Sequence, residues 1–209
     1  MDDDGEKRKW VMAVSAVILS AMLTACVWRT ETVSAKMETA QKHMAEEVLR
    51  FHVLANSDSK EDQELKMTVK DEVVSWLEAK MDCDSLEETK NFIRSHLTGI
   101  EEVAEETVRR EGYSYPVQAA LEWTDFPEKS YGDVTFPAGS YEALRIQIGE
   151  AKGHNWWCVL YPNLCFIDSV QAVVPEKGKK QLKHVLTDDE YDMVTATSKF
   201  KVKWFFFGS

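Results

Sequence analysis

The chain has 209 residues, a formal net charge of −11 and 44% apolar residues, enough to build a core. An acidic chain without a stripe of Lys and Arg argues against nucleic acid as a partner, because that binding depends on clustered basic side chains. The same balance argues against electrostatic attachment to anionic lipid. The acids are unevenly spread. Residues 57–111 hold sixteen acids against eight bases, and residues 170–209 hold seven lysines against five acids. Both read as solvated faces.

The N-terminus "KRKWVMAVSAVILSAMLTACVW" has a basic start at Lys7, Arg8 and Lys9 and then an apolar stretch from Trp10 to Trp28. This is the pattern of a signal sequence, and the basic residues place the chain beyond the apolar stretch outside the cytoplasm. Three fates fit. "LTAC" resembles a lipobox and would make Cys26 a lipidated residue. "VSA" presents small residues for cleavage before Lys36. The apolar stretch also has the length of an uncleaved anchor. Cleavage and the uncleaved anchor together are preferred. Residues 1–35 are therefore taken as signal peptide or anchor, 36–47 as a linker or short helix, and 48–209 as one extracytoplasmic domain.

Residues 48–57 predict a strand. Leu49, Phe51, Val53 and Ala55 share one side, and Arg50, His52 and Leu54 the other. Ser59 and Asp62 resemble a capping box opening a helix whose face is Leu65, Val69, Val73, Trp76 and Leu77. A second helix carries Leu86, Ile93, Leu97, Ile100, Ala104 and Val108 and stops at Gly112. Gly99 inside it disfavours helix and marks a close crossing with the first helix.

After Gly112 the period changes. Tyr115, Val117, Ala119, Leu121 and Trp123 alternate as a strand with one buried face. "YGDVTF" predicts a turn or short strand, and Leu144, Ile146 and Ile148 line a further strand. "NWWCVLYP" is a continuous apolar run, read as a central strand. Thr187 and Glu190 form another capping box, opening a helix over 188–195. "KFKVKWFFF" alternates Lys199, Lys201 and Lys203 with Phe200, Val202, Trp204 and Phe206, as in an edge strand guarded by lysines. The expected fold is α+β: a mixed or antiparallel sheet with two amphipathic helices on one face, behind the N-terminal helix.

Catalytic motifs are lacking. There is no Gly-x-Ser-x-Gly elbow, phosphate loop, dinucleotide glycine pattern or His-Glu-x-x-His helix. An exported hydrolase using His52, His154, Cys158 and Asp168 is the alternative of enzyme class, although His154 and Cys158 lie about 13 Å apart if both sit on a strand. A cell-surface binding lipoprotein is another alternative. Cys158, Cys165 and His154 lack the close pairing of a zinc site. Asp133 and Asp168 sit in no protease motif. No cofactor and no metal is expected. The turn at Pro162-Asn163 suits a disulfide between Cys158 and Cys165 outside the cytoplasm; two free buried thiols are the other reading.

Trp156 and Trp157 are adjacent and so point to opposite faces of a strand. Aromatic side chains are those that binding hot spots use. The candidates for partner contact are Tyr131, Phe136, Tyr141, Trp156 and Trp157, with Gly153 and Asn155 in the loop 149–155. Asn56, with Ser57 and Asp58, forms a second patch that a helix-start turn largely explains.

Three stretches carry a resemblance: "RFHVLANSDSKEDQELKMTVKDEV", "YGDVTFPAGSYEALRIQIGEAKGHNWWCVLYPNLCF" and "VLTDDEYDMV". Over residues 48–207 the chain resembles the stage II sporulation protein R family. The resemblance implies an intercellular signal of endospore formation, exported from the forespore into the intermembrane space. It implies a partner, a membrane-embedded aspartic-type protease in the mother cell that cleaves a sigma-factor precursor once triggered. It implies an activator and not an enzyme, and it brings no catalytic residues.

Overall fold

The computed structural model describes residues 3–165, 174 and 176–195. Its contacts divide the chain into two units, Met1–Lys42 and His43–Ser209. Helix α1 runs Asp3–Glu47. Its segment Met12–Arg29 has a mean hydropathy of 1.7 and is nowhere buried, a length and composition that suit a bilayer core. Cys26 is exposed on this helix. Residues 36–47 continue α1 as helix, one of the two readings the sequence left open, as their alanines and long charged side chains favour. Met44 and Ala45 are buried, so the folded unit begins ahead of residue 48.

The second unit contains β1 (Leu49–Leu54), α2 (Lys60–Lys80), α3 (Leu86–Arg110), β2 (Val117–Phe126), β3 (Lys129–Tyr131), β4 (Val134–Phe136), β5 (Gly139–Ile148), β6 (Asn155–Tyr161) and α4 (Glu176–Val185). A further helical stretch covers 188–195. Among the described residues four strands form a mixed sheet in the order β2-β5-β1-β6, and β3 and β4 pair only with each other. β1 is parallel to β5 and antiparallel to β6, and β2 is antiparallel to β5. The fold is α+β.

The parallel pair needs a long connection, and α2 with α3 supplies it. Both helices present their apolar stripes to one sheet face. Leu65, Val69, Val73 and Leu77 of α2 and Ile93, Ile100, Ala104 and Val108 of α3 pack on Phe51, Val53, Leu144, Ile146, Cys158 and Leu160. Each large apolar side chain removed from water there contributes about 1.5–3 kcal/mol. Gly99 does mark the helix crossing: a Cβ added there would lie 3.3 Å from the Trp76 ring.

Caps follow the sequence signals. The Ser59 hydroxyl accepts from Asp62 N at 3.1 Å, and Ser85 does the same for Glu88. Thr187 and Glu190 close a full box, with Thr187 N donating to Glu190 Oε2 and Glu190 N to Thr187 Oγ1. Glu190 is buried and also accepts from His43 Nδ1 at 2.9 Å, joining the end of α1 to this helix.

Three expectations change. β6 is an edge strand, not a central one, among the described residues. Its run is apolar because Trp156, Cys158 and Leu160 meet the helix layer while Trp157 and Val159 meet a second layer on the reverse face. The first strand ends at Leu54 rather than residue 57, because Asn56 and Ser57 turn to cap α2. Trp123 lies on the same face of β2 as Val117, Ala119 and Leu121 but is not buried there: it is 56% exposed. β2 is an edge strand, and opposite Trp123 stands Glu142, engaged with Lys90 and Arg94 of α3. The alternating segment 199–207, Phe166 and Asp168 lie outside the described residues.

Gly99→Leu is expected to lower stability by about 1–3 kcal/mol, because the new side chain meets the Trp76 ring. Chemical denaturation of the variant against the parent checks this.

Candidate functional site

β1 is buried at all six positions. One face feeds the helix core. The other carries Arg50 and His52, which are 0% and 2% exposed. Charged side chains are rarely buried this deeply without a partner. Here the guanidinium of Arg50 lies 4.4 Å from the ring centre of Phe126, 4.9 Å from Tyr141, 5.2 Å from Phe136 and 5.8 Å from Tyr131. Such cation–π contacts are each worth about 0.5–2 kcal/mol. Arg50 Nε donates to Cys158 O and Nη2 to the Tyr131 hydroxyl, both at 3.1 Å. Nη1 has no hydrogen-bond partner. No ion pair involves Arg50 among the described residues.

His52 stacks on Trp157, 5.0 Å between ring centres and 11° between planes, with Phe126 at 5.2 Å. Neither ring nitrogen has a hydrogen-bond partner. Burial and the neighbouring Arg145 and Arg50 push the His52 pKa down to about 3, so the ring is neutral. Burial also pushes the Tyr131 phenol well up. Three of the aromatic residues singled out in the sequence, Tyr131, Phe136 and Tyr141, thus do come together, but around a buried cation. Phe136 and Tyr141 are buried, and the Tyr141 hydroxyl donates to Pro137 O. Tyr131 is half-buried, as are Trp156 and Trp157. Trp156 stands edge-on to Phe51 with Lys70 over its ring.

A second cluster lies where β1 meets α2. Asp62 is buried, and its carboxylate accepts from Asn56 Nδ2 at 2.8 Å and Ser57 Oγ at 2.5 Å. Burial works to raise the Asp62 pKa, but the bonds from Ser57, Asn56 and Tyr115 outweigh it and hold the carboxyl low. Asn56 Oδ1 accepts from Glu150 N at 2.9 Å. Gly149 has φ +60, and a Cβ there would collide with Asn56. At Gly153 a Cβ would collide with the Ser57 carbonyl, while Gly153 N donates to Ala55 O. Asn56, Gly153 and Asn155, the last paired with Leu54, therefore bind one loop to another. On the outer side His154 is 82% exposed, its Nδ1 2.5 Å from Asp58 Oδ1.

The residues of a hydrolase are not assembled by this fold. Cys158 stands opposite Phe51 on the helix side, whereas His52 stands opposite Trp157 on the reverse face. His154 is on the exposed loop with Asp58. The turn after β6 does bring the two cysteines together: both thiols are free, and the Cys165 thiol donates to Val159 O at 3.0 Å. Burial, and then its bond with Cys158, raises the Cys165 thiol pKa well above the ordinary value. No group of three or more metal-ligating side chains occurs among the described residues. Among the described residues of the second unit, Trp123 is the exposed one of the tryptophan, tyrosine and phenylalanine side chains.

These features define the class: an α+β domain that follows an N-terminal apolar helix fit to serve as a signal or membrane anchor. A family model described as stage II sporulation protein R matches residues 45–171. Stage II sporulation protein R of Bacillus subtilis (strain 168) is 39% identical over 176 residues, 79% of this chain and 77% of its own length. The chain belongs to the stage II sporulation protein R family, a family of sporulation and not a known family of enzymes. No solved structure matches.

Two outcomes test this geometry. The neutral His52 is bound to a pH dependence. In the unfolded chain it takes a proton as pH falls below about 6.5, and in the folded chain it does so only near 3. Stability contributed by the neutral ring is therefore full above pH 6.5 and falls on acidification through that window, by up to about 1.4 kcal/mol per pH unit. His52→Phe is expected to flatten this slope when urea midpoints of variant and parent are compared across pH. Gly153→Ala is expected to cost more than about 2 kcal/mol, because the Ser57 backbone must shift, and thermal unfolding reads it.

Proposed function

We propose that this chain is the exported signal that switches on sigma-factor processing during endospore formation. The forespore sends it into the intermembrane space, or holds it there by α1. It docks on the extracytoplasmic face of a membrane-embedded aspartic-type protease of the mother cell. Binding the active arrangement more tightly than the inactive one then shifts the protease toward cleavage of its precursor. The observation that carries this reading is the family match, which spans the folded unit from residue 45 to 171. The apolar segment ahead of that unit supports export or anchoring. The separation of His52, Cys158 and His154 weighs against the hydrolase reading.

The contact surface is drawn from side chains that reach solvent. Trp123 leads it, on an edge strand beside the ion group Lys90–Glu142–Arg94. Exposed tryptophan is the side chain that most often anchors such interfaces. The half-buried Tyr131, Trp156 and Trp157, and the loop holding Gly153, Asn155 and His154 with Asn56 behind it, form the remaining candidates.

The test is co-expression, in a host that does not sporulate, of this chain, the candidate protease and the sigma-factor precursor. Cleavage only when the chain is exported supports the activator role. Its absence, with folded and exported protein present, overturns it. Trp123→Ala is expected to reduce cleavage at least ~10-fold with a stability change within about 0.5 kcal/mol. Trp157→Ala is expected to destabilise the domain by about 3–5 kcal/mol, because it strips the cover from His52.

A further inference from the structure

The reverse face of the sheet leaves four nitrogens without a hydrogen-bond partner: Arg50 Nη1, both ring nitrogens of His52 and Arg145 Nε. They belong to neighbouring residues. Arg50 and His52 are two apart on β1, and His52 is in register with Arg145 on β5. Buried polar atoms are nearly always satisfied, so an isolated orphan in a native fold requires an explanation. Four on one face, three residues wide, are a pattern.

Their charge is as telling as their number. Two guanidiniums meet one carboxylate there, Glu122, which pairs with Arg145 Nη1 at 2.6 Å. Arg50 has none. A guanidinium offers a planar fork of donors, and aromatic rings satisfy its charge without satisfying its N–H groups. What completes such a fork is a carboxylate.

Part of the cover over this face is a hairpin outside the four-stranded sheet. β3 and β4 are three residues each and, among the described residues, make backbone pairs only with each other. A two-stranded hairpin is marginal by itself. Side chains hold it down: Tyr131 through Arg50 within, and Asp133 through Lys179 Nζ at 2.6 Å without.

We propose that the reverse face is a carboxylate-binding site, with Arg50 as its principal donor and the β3–β4 hairpin as the cover that lifts to admit the ligand. The chemistry stands independently of the function proposed above. Only the source rests on that reading: an acidic side chain of the receptor protease supplies the carboxylate when the two proteins dock.

The deciding variant is Arg50→Met, a side chain of similar length without charge. The variant forfeits the ring and hydrogen-bond contacts of Arg50 along with its charge, so it is read for cooperative unfolding as well as for activity. Full-length parent and variant in detergent are melted in sodium acetate and in sodium chloride at equal ionic strength, and both enter the co-expression assay. The expected result is a variant that still unfolds cooperatively yet reduces precursor cleavage at least ~10-fold, the loss of a charge-assisted bond. A variant that keeps full cleavage but loses an acetate-specific rise of ~3 °C or more in the parent's melting temperature also supports the site, with a free carboxylate as its ligand. A variant that no longer unfolds cooperatively makes Arg50 structural and overturns the proposal. So does a variant equal to the parent in cleavage and in acetate response. If the parent itself triggers no cleavage, the activator reading fails and the acetate comparison alone decides the site.

Discussion

Everything in the folded unit depends on β1 being buried on both faces. A strand paired in parallel with one neighbour and antiparallel with another sits inside the sheet, and each of its faces must be covered. The helix pair α2 and α3 covers the face of Leu49, Phe51 and Val53 with aliphatic side chains. On the reverse face the chain uses rings, Phe126, Tyr131, Phe136, Tyr141 and Trp157, arranged over a guanidinium and a neutral imidazole. Aromatic side chains bury large areas from short segments, which is how a small hairpin covers what a helix covers elsewhere.

That choice makes the two faces physically unlike. The helix face is a closed aliphatic layer, where a change of one methylene is felt as a cavity or a clash. The reverse face is polar at its floor, aromatic at its roof and held by side-chain contacts to a hairpin outside the main sheet. Regions of that kind open at lower cost than core strands and helices. The sheet thus carries one closed apolar face and one polar face covered by rings.

The turn at the end of β1 serves a different end. Asn56, Ser57 and Asp62 knot the start of α2, and Gly149 and Gly153 let the β5–β6 loop close upon them. Local capping residues thereby fix a long-range contact, since β5 and β6 are brought to the two sides of β1 by the same knot. Asp58 and His154 are the part of it that reaches solvent.

The helices, their caps and their buried stripes were legible from the sequence, because helix period and cap chemistry are local properties. Leu65 to Leu77, Ile93 to Val108, Ser59 and the box of Thr187 with Glu190 all needed only their near neighbours. The crossing at Gly99 was legible for the same reason. Family membership was legible too, because "FPAGSYEALR" and "GEAKGHNWWCVLYPNLCF" are long and specific. The position of β6 at an edge was not, since an apolar run tells that both faces are covered and not how many strands lie beside it. Nor was the fate of the aromatic residues. Alternation placed Arg50 and His52 on one side of a strand and Trp123 on the buried side of another; strand order and the reach of α3 decided that Arg50 is enclosed and Trp123 exposed. Periodicity assigns a residue to a face. Only the tertiary structure decides what, if anything, covers that face.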